Sequence, residues 1–505
     1  MAVAQSFAKT VAAPAASLLP LGVIDIGSNS VRLVVFGDPL RMPTGMFNEK
    51  VLCGLGRGMG QTGALDTEGA KQALAAIRRF VTLARRMNVS SLQIVATAAV
   101  RDASNGGDFV AQIERETGEK VRVLSGQEEA TYSAYGVLSG IPDACGVMGD
   151  LGGGSLELVA LDGHKLGDSV TLPLGPLRIA NLDSYPVVKA YIDEKLAGVP
   201  WLKKWKGKSL YAVGGSWRAI ARVHMAQMHS PLHIIHQYAL QRAEAADFTR
   251  LLAKQSRESL TRVEGVPRKR QDSLPLAALV MRRLLKFLEP KDVVFSANGL
   301  REGLAYALLD ERQRAEDPLL AICRHMAERE NRFGDHGMEI DRFIAPLFER
   351  DTAERQRIRY AAGILADTGW RVHPDYRGEQ SLGTILHAPF GAATQSERAL
   401  LALAVFTRYT GTASDPIAAP AWQLLNAEEI DYAQRVGLAL RLAQTLSGGV
   451  PGILSECRLR PNGNSLLLEL PAQHAALDGE AVQRRVEALG KAFNRAAELR
   501  VMKAR

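Results

Sequence analysis

The chain has 505 residues, 47% of them hydrophobic and 23% charged, with 62 basic against 54 acidic side chains and a formal net charge of +8. This length allows about three domains at roughly 150 residues each, and the composition argues against a disordered chain or a membrane bundle. The mild basic excess suits a polyanionic partner without separating nucleic acid from phosphate ester, and the four cysteines, with no CxxC pair, indicate neither a zinc site nor a disulfide framework, as expected of a cytoplasmic protein.

Residues 1–20 are Ala-rich with Lys9 as their only charge and lack the basic-then-apolar order of a secretory signal, so residues 1–21 read as a flexible leader. Val23–Phe36 then places two β-rich runs around the small polar turn Gly27-Ser28-Asn29-Ser30, the pattern of a hairpin. Helical spacing of Ala70, Leu74, Ile77, Val81 and Ala84 predicts a helix over 67–87. A strand at 92–96, a helix at 107–117, a strand at 121–124 and a helix from Gly126 to about Leu138 complete a β/α alternation.

The order restarts at Cys145. Strands at 145–150 and 156–161 flank the turn 151–155, and Asp25-Ile-Gly-Ser-Asn-Ser and Asp150-Leu-Gly-Gly-Gly-Ser share an Asp-x-Gly-x-x-Ser frame. That internal echo predicts duplicated domains facing one another. Two more strand-to-turn sites follow, at Ser209–Ser216 with a helix from Trp217 and at Val293–Gly299 with a helix over 300–309. Beyond a linker at 312–318 the texture becomes helical, with apolar 3–4 spacing over 319–330, 340–349, 353–368, 396–409 and 428–446. A hairpin at 456–470 and a helix from Glu480 close the chain.

Glycine turns let successive backbone N–H groups converge on an oxyanion. An Asp at the end of the preceding strand adds a hard ligand for Mg²⁺ bridging phosphates, so the paired turns point to a metal-phosphate cleft. Ser125-Gly-Gln-Glu128-Glu129 puts two carboxylates in the first turn of a helix, where they serve either as caps or as a water-activating base. Arg101, just after a strand, either pairs with Asp102 or reaches a phosphate. Basic residues cluster at Trp201–Lys208, where aromatic-basic interleaving reads either as a single-stranded nucleic-acid contact or as a solvated loop with one buried Trp, and at Arg268, Lys269 and Arg270, the better candidate for guiding an extended polyanion.

Together, Val23–Phe36, Ala96–Asn105, Val123–Ala130, Val147–Leu158, Leu172–Arg178, Ala212–Ala221 and Ser296–Gly303 resemble the exopolyphosphatase/guanosine pentaphosphate phosphatase (Ppx/GppA) family over residues 22–310. The resemblance implies two actin-like (ribonuclease H-like) α/β domains, at 22–137 and 138–314, around a cleft, followed by a mainly α-helical HD-like domain at 315–505. It implies Glu129 as catalytic base, with Gly27, Ser28, Asn29, Ser30, Arg101, Gly152, Gly153, Gly154 and Ser155 binding phosphate. Asp150, Asp25 and Glu157 would hold Mg²⁺. Where the family's helical extension carries a metal-binding His-Asp dipeptide, this chain reads Ala366-Asp367, and His373 and His387 restore no ligand set, so no second hydrolytic centre is expected there.

The function implied is exopolyphosphatase, Mg²⁺-dependent release of terminal orthophosphate from inorganic polyphosphate. Hydrolysis of pppGpp to ppGpp by the same centre is the alternative. An actin-like sugar kinase would share the loops but need ATP and a second substrate, and a non-catalytic phosphate or nucleotide sensor would not need Glu129. Neither nucleic acid nor membrane is an expected partner, and the amphipathic helical domain makes a homodimer an expectation.

Overall fold

The computed structural model of the chain describes residues 20–37, 41–334 and 336–502. The leader expected at 1–21 lies outside them as far as residue 19. The chain divides into two compact units, residues 1–318 and 319–505.

The first unit builds one sheet plan twice. β1 (Leu21–Ile26), β2 (Ser30–Gly37), β3 (Thr44–Leu52), β4 (Ser91–Ala96) and β5 (Val121–Val123) lie in the order β3-β2-β1-β4-β5. The first two pairings are antiparallel and the last two parallel. In the second sheet β6 (Cys145–Leu151), β7 (Leu156–Asp162), β8 (Lys165–Leu172), β9 (Ser209–Val213), β10 (Tyr238–Gln241) and β11 (Asp292–Phe295) repeat it as β8-β7-β6-β9-β11, with β10 added antiparallel at the edge. The echo between Asp25 and Asp150 is therefore structural, since each ends the central strand of its sheet beside the turn to the antiparallel neighbour.

Strand alternation buries both faces of each sheet. Ile24, Ile26 and Leu33 pack with Ile77, Phe80 and Val81 of the helix Thr67–Arg86, while Val23, Val34 and Val95 pack with Leu304 and Ala305 of the helix Leu300–Ala307. Val147, Leu158 and Leu210 meet Trp217, Ile220 and Leu284 on one side of the second sheet; Met148, Val159 and Val213 meet Ala134, Val137 and Tyr306 on the other. The helices Gly126–Gly140 and Leu300–Ala307 thus form a layer between the two sheets. They cross with almost no separation, because a Cβ on Gly303 would lie 1.7 Å from the Tyr132 carbonyl oxygen and one on Gly136 would lie 2.1 Å from that of Gly299.

Several elements differ from the sequence reading. The strand β3 carries Gly45, Asn48, Glu49 and Lys50 on an edge with little burial, so it lacks a β-rich pattern. The expected linker contains a helical turn, Glu311–Ala315, closed by reciprocal capping between Asp310 and Gln313. The Trp201–Lys208 run is not a loop with a buried Trp. It opens in a 3₁₀ helix, Pro200–Trp205, that buries Leu202 and rests Trp201 and Trp205 half-buried on the second sheet's core.

The second unit contains the helices Gly337–Ile344, Ala353–Ile364, Arg377–His387, Gln395–Thr410, Ala427–Ser447 and Glu480–Ala492. The expected hairpin is present as β12 (Arg458–Asn462) and β13 (Ser465–Leu470). A strand not read from the sequence, β14 (Ala496–Val501), joins β13 in parallel after the last helix. No helix among the described residues is long and apolar enough to cross a membrane.

Candidate active site

The two Asp-x-Gly turns close in the same way. Gly27 N–H donates to the Ser30 carbonyl at 3.0 Å, and Gly152 N–H donates to that of Ser155, also at 3.0 Å. The amides of Ser28, Asn29, Gly153 and Gly154 have no backbone partner among the described residues, which leaves them available to an anion. The loops touch, since a Cβ on Gly153 would lie 2.5 Å from Ser28 Oγ. Beside them is a cavity of about 360 Å³ lined by Ser28, Gly154, Asp102, Leu177 and Arg178 among others. The sequence-predicted loop residues are therefore brought together from both sheets.

The first turn of the helix Gly126–Gly140 separates its two acids. Glu128, at the third helical position, accepts from the Ser125 amide at 2.8 Å while Ser125 Oγ accepts from the Glu128 amide, and its other oxygen meets Arg122 at 2.5 Å. That is the capping role. Glu129, one residue further round the helix, points inward with a side chain only 15% exposed, 3.4 Å from Arg101 Nη1. Arg101 also donates from Nη1 to the Leu124 carbonyl at 2.9 Å and from Nε to Asp102 at 3.1 Å. Arg101 is thus paired with Asp102 and also meets Glu129.

Across the second sheet, Asp150 and Glu157 are register partners on β6 and β7. Asp150 accepts from Ser133 Oγ at 2.6 Å. Glu157 is 1% exposed, and its Oε1 is buried with no hydrogen-bond partner. Burial raises all three carboxyls. For Glu129 the shift is to about 7, with the Asp150 charge adding to it and Arg101 opposing it. Glu157 rises well above the usual range through burial and then the charges of Glu129 and Asp150, and Asp150 rises through burial against the hydrogen bond from Ser133.

An orphaned carboxylate oxygen within a trio of mutually repelling acids fits a divalent cation. Among the described residues no group of three or more His, Cys, Asp or Glu side chains forms a ready-made cage. Mg²⁺ needs none, because it usually binds one or two carboxylates together with phosphate oxygens.

These shifts set a pH dependence of stability. Glu129 and Glu157 bind protons more tightly folded than unfolded, so their stabilising contribution is full below the ordinary value of 4.5 and is lost as the pH rises, through about 7 for Glu129 and through the raised range of Glu157. In metal-free protein, the fall in melting temperature between pH 5 and pH 8 should be smaller for Glu157→Gln than for wild type. Added Mg²⁺ should recover the wild-type loss at pH 8. Equal slopes in the two proteins would place the penalty elsewhere.

The other side of the loops is cationic. Arg301 Nη1 binds Asp25 Oδ2 at 3.0 Å with both side chains largely buried, so Asp25 is neutralised by a guanidinium. Arg32 donates to Asn48 at 2.7 Å, and Arg218 donates to the carbonyls of Ser296 and Asn298. Burial lowers both guanidiniums, Arg218 to about 10. Lys50 is pushed down to about 8, first by desolvation and then by Arg270, Arg32 and Arg301. The Arg268–Arg270 run divides. Arg268 and Lys269 are exposed, whereas Arg270 is half-buried and donates to Ser216 Oγ at 3.0 Å.

Sequence reasoning missed Arg301, Arg32, Lys50 and Arg218. Arg32 carried a signal, as a lone charge in the apolar run Val31–Phe36. Arg301 sat inside the Ser296–Gly303 motif without being singled out.

In the second unit, Asp367 is held by Arg332 through two hydrogen bonds of 2.8 Å and lies 3.5 Å from Arg408. Guanidiniums occupy the carboxylate that a metal centre would need. His373 and His387 are exposed, His373 bonding within its own turn to the Asp375 amide and His387 to the Gly383 carbonyl.

Residues 34–312 match the model of the Ppx/GppA phosphatase family, and residues 332–500 match that of the exopolyphosphatase C-terminal region. Retrograde regulation protein 2 of Saccharomyces cerevisiae is 30% identical over 343 residues, 61% of this chain and 58% of that protein, so the chain spans less than two thirds of this relative's length. Exopolyphosphatase 1 of Mycobacterium tuberculosis is 28% identical over 311 residues, 57% of this chain and 88% of its own. A guanosine-5'-triphosphate,3'-diphosphate pyrophosphatase of Pseudoalteromonas atlantica is 22% identical over 404 residues, 74% of this chain and 76% of its own. The fold is shared with a Cytophaga hutchinsonii exopolyphosphatase, at TM-score 0.53 and 23% identity over 57% of this chain and 97% of that one. It is also shared with the Aquifex aeolicus Ppx/GppA family member, at TM-score 0.50 and 24% identity over 57% and 96%.

Proposed function

The chain belongs to the Ppx/GppA phosphatase family, and from that premise we propose that it is an exopolyphosphatase, releasing terminal orthophosphate from inorganic polyphosphate by hydrolysis. The observation that carries this reading is the inward, proton-binding Glu129 beside Arg101 and the two open loops. A non-catalytic phosphate sensor has no need of such a base, and a sugar kinase would require ATP and a second substrate.

In this reading the amides of Ser28, Asn29, Gly153 and Gly154, with the Ser30 and Ser155 segments closing each loop, hold the terminal phosphoryl oxygens. Arg101 steadies a phosphate and orients Glu129, which takes a proton from the attacking water. Asp150 and Glu157 hold Mg²⁺, with Asp25 contributing only through its pair with Arg301. When bound there, the ion would supply positive charge to the phosphoryl oxygens. The cationic wall of Arg32, Lys50, Arg270 and Arg301 receives the remainder of the chain, and its charged groups match phosphate oxygens along a linear polyanion. That match favours polyphosphate over pppGpp.

The deciding assay measures orthophosphate released from polyphosphate with no nucleotide present, with pppGpp run in parallel. Release from polyphosphate is the expected result. Release only from pppGpp would transfer the site to the nucleotide, and release from neither would end the hydrolytic reading.

The division of the basic run gives a further expectation. Arg270→Gln should raise KM for long polyphosphate several-fold, because its guanidinium faces the turn at Ser216. The pair Arg268→Gln and Lys269→Gln should matter less and only at low salt, since exposed charges are screened beyond about 10 Å at 0.1 M ionic strength. Steady-state kinetics at two salt concentrations check both. Equal effects would restore the three residues as one track.

A further inference from the structure

The duplicated sheets carry different chemistry in equivalent rows. On the first sheet Asp25, Arg32 and Lys50 are register partners across β1, β2 and β3, so their side chains share one face. On the second, Asp150, Glu157 and Thr171 make the same row across β6, β7 and β8. One row carries two cations beside its Asp, the other a second acid and a threonine.

The strand order also separates two ends of a reaction. In the first sheet Lys50 lies on β3, at one edge, with the loop Gly27–Ser30 between β1 and β2. Arg101 follows β4, and Glu129 follows β5 at the opposite edge. Strands stand about 4.8 Å apart, so a phosphoanhydride held at the loop has the base on one side and Lys50 on the other. In-line displacement places attacking and leaving oxygens on opposite sides of phosphorus.

We propose that Lys50 is the general acid of the hydrolysis, giving its proton to the bridging oxygen as the shortened chain departs. The inference rests on the hydrolytic reading above. Water attacks the terminal phosphorus and loses a proton to Glu129. The bond from that phosphorus to the bridging oxygen breaks, and its electron pair takes the Lys50 proton. Glu129 then returns its proton to solvent, and the neutral Lys50 amine regains one from it.

The surroundings suit a proton that can be released. The groups facing Lys50 are Arg32 on β2, Asp25 on β1, Arg301 on the helix Leu300–Ala307 and Arg270 after β10. Asp25 is already bound to Arg301, and Lys50 has no carboxylate within 4.0 Å among the described residues. The side chain is solvent-accessible, so it can be recharged. An ammonium with a value of about 8 gives up a proton far more readily than one near 10.5.

Lys50→Arg keeps the positive charge and removes a titration in the working range. Its kcat on polyphosphate at pH 7.5 should fall by about 10-fold or more with KM little changed, and the wild-type loss of rate above about pH 8 should disappear. Lys50→Ala should lose at least as much rate and regain part of it with added small primary amines. Melting temperatures establish that both variants are folded, as expected for an accessible side chain.

A Lys50→Arg enzyme of wild-type kcat, or one changed only in KM, would overturn the proposal and make Lys50 a charge for binding. Failure of amines to restore any rate to folded Lys50→Ala would also count against it. Glu129→Gln, assayed alongside, separates the two levels. If it turns over normally, the role of Glu129 as base falls; if it is inactive while Lys50→Arg is unimpaired, only the role of Lys50 falls; and a wild-type protein that releases no orthophosphate ends the hydrolytic reading itself.

Discussion

Glu129→Gln is expected to lower the turnover of polyphosphate by on the order of 10²–10⁴ while leaving binding nearly intact, because it removes a proton acceptor and no phosphate-binding donor. The neighbouring Glu128→Ala should do the reverse. It removes the acceptor for the Ser125 amide and the partner of Arg122, a loss of about 1 kcal/mol in stability by analogy with other caps, with little change in rate. Rapid-quench turnover and denaturant melts of the two variants test the pair. A dead Glu128→Ala beside an active Glu129→Gln would exchange their roles.

Gly303→Ala should be among the most destabilising single-methyl changes in the first unit. Replacing a helical glycine by alanine ordinarily gains up to about 1 kcal/mol in helix propensity. Here the added carbon falls 1.7 Å from the Tyr132 carbonyl oxygen and 2.8 Å from the Gly136 amide nitrogen, both of them backbone atoms. Neither can swing aside, so the helices must part. Overpacking of this kind costs about 3 kcal/mol, more than the propensity gain, and the parting also carries Arg301 away from Asp25. The expected result is a lower urea midpoint together with lost activity. Gly107→Ala is the control, with open space around its added carbon, and should hold or raise the midpoint. A Gly303→Ala protein as stable as wild type would mean that the crossing is looser than described.

Much of this site was legible as sequence because its parts are local. Gly27–Ser30, Gly152–Ser155 and the Ser125–Glu129 helix start are each contiguous and announced by small or acidic residues at fixed spacing. The twin Asp-x-Gly frames foretold the repeated sheet plan. What escaped reading depends on pairing between distant segments. Arg32 and Lys50 become neighbours only through β2–β3 register, and β3 itself is too polar to stand out. Arg301 meets Asp25 across 276 positions of chain. From the residues alone Glu128 and Glu129 stayed level and the resemblance chose Glu129; the helix itself shows that Glu128 is the acid engaged in the cap. In the second unit Ala366 was readable as a lost ligand, whereas the capture of Asp367 by Arg332 required packing of separate segments.

The matched turns and mismatched rows have one more consequence. A frame used twice with identical side chains would give two equivalent walls of like charge. Here Asp–Arg–Lys stands against Asp–Glu–Thr, and the difference polarises the pair of sheets, with cationic side chains in the row of the first and a buried acid pair in the row of the second. A chain built from two copies of either half would keep the scaffold and lose that polarity.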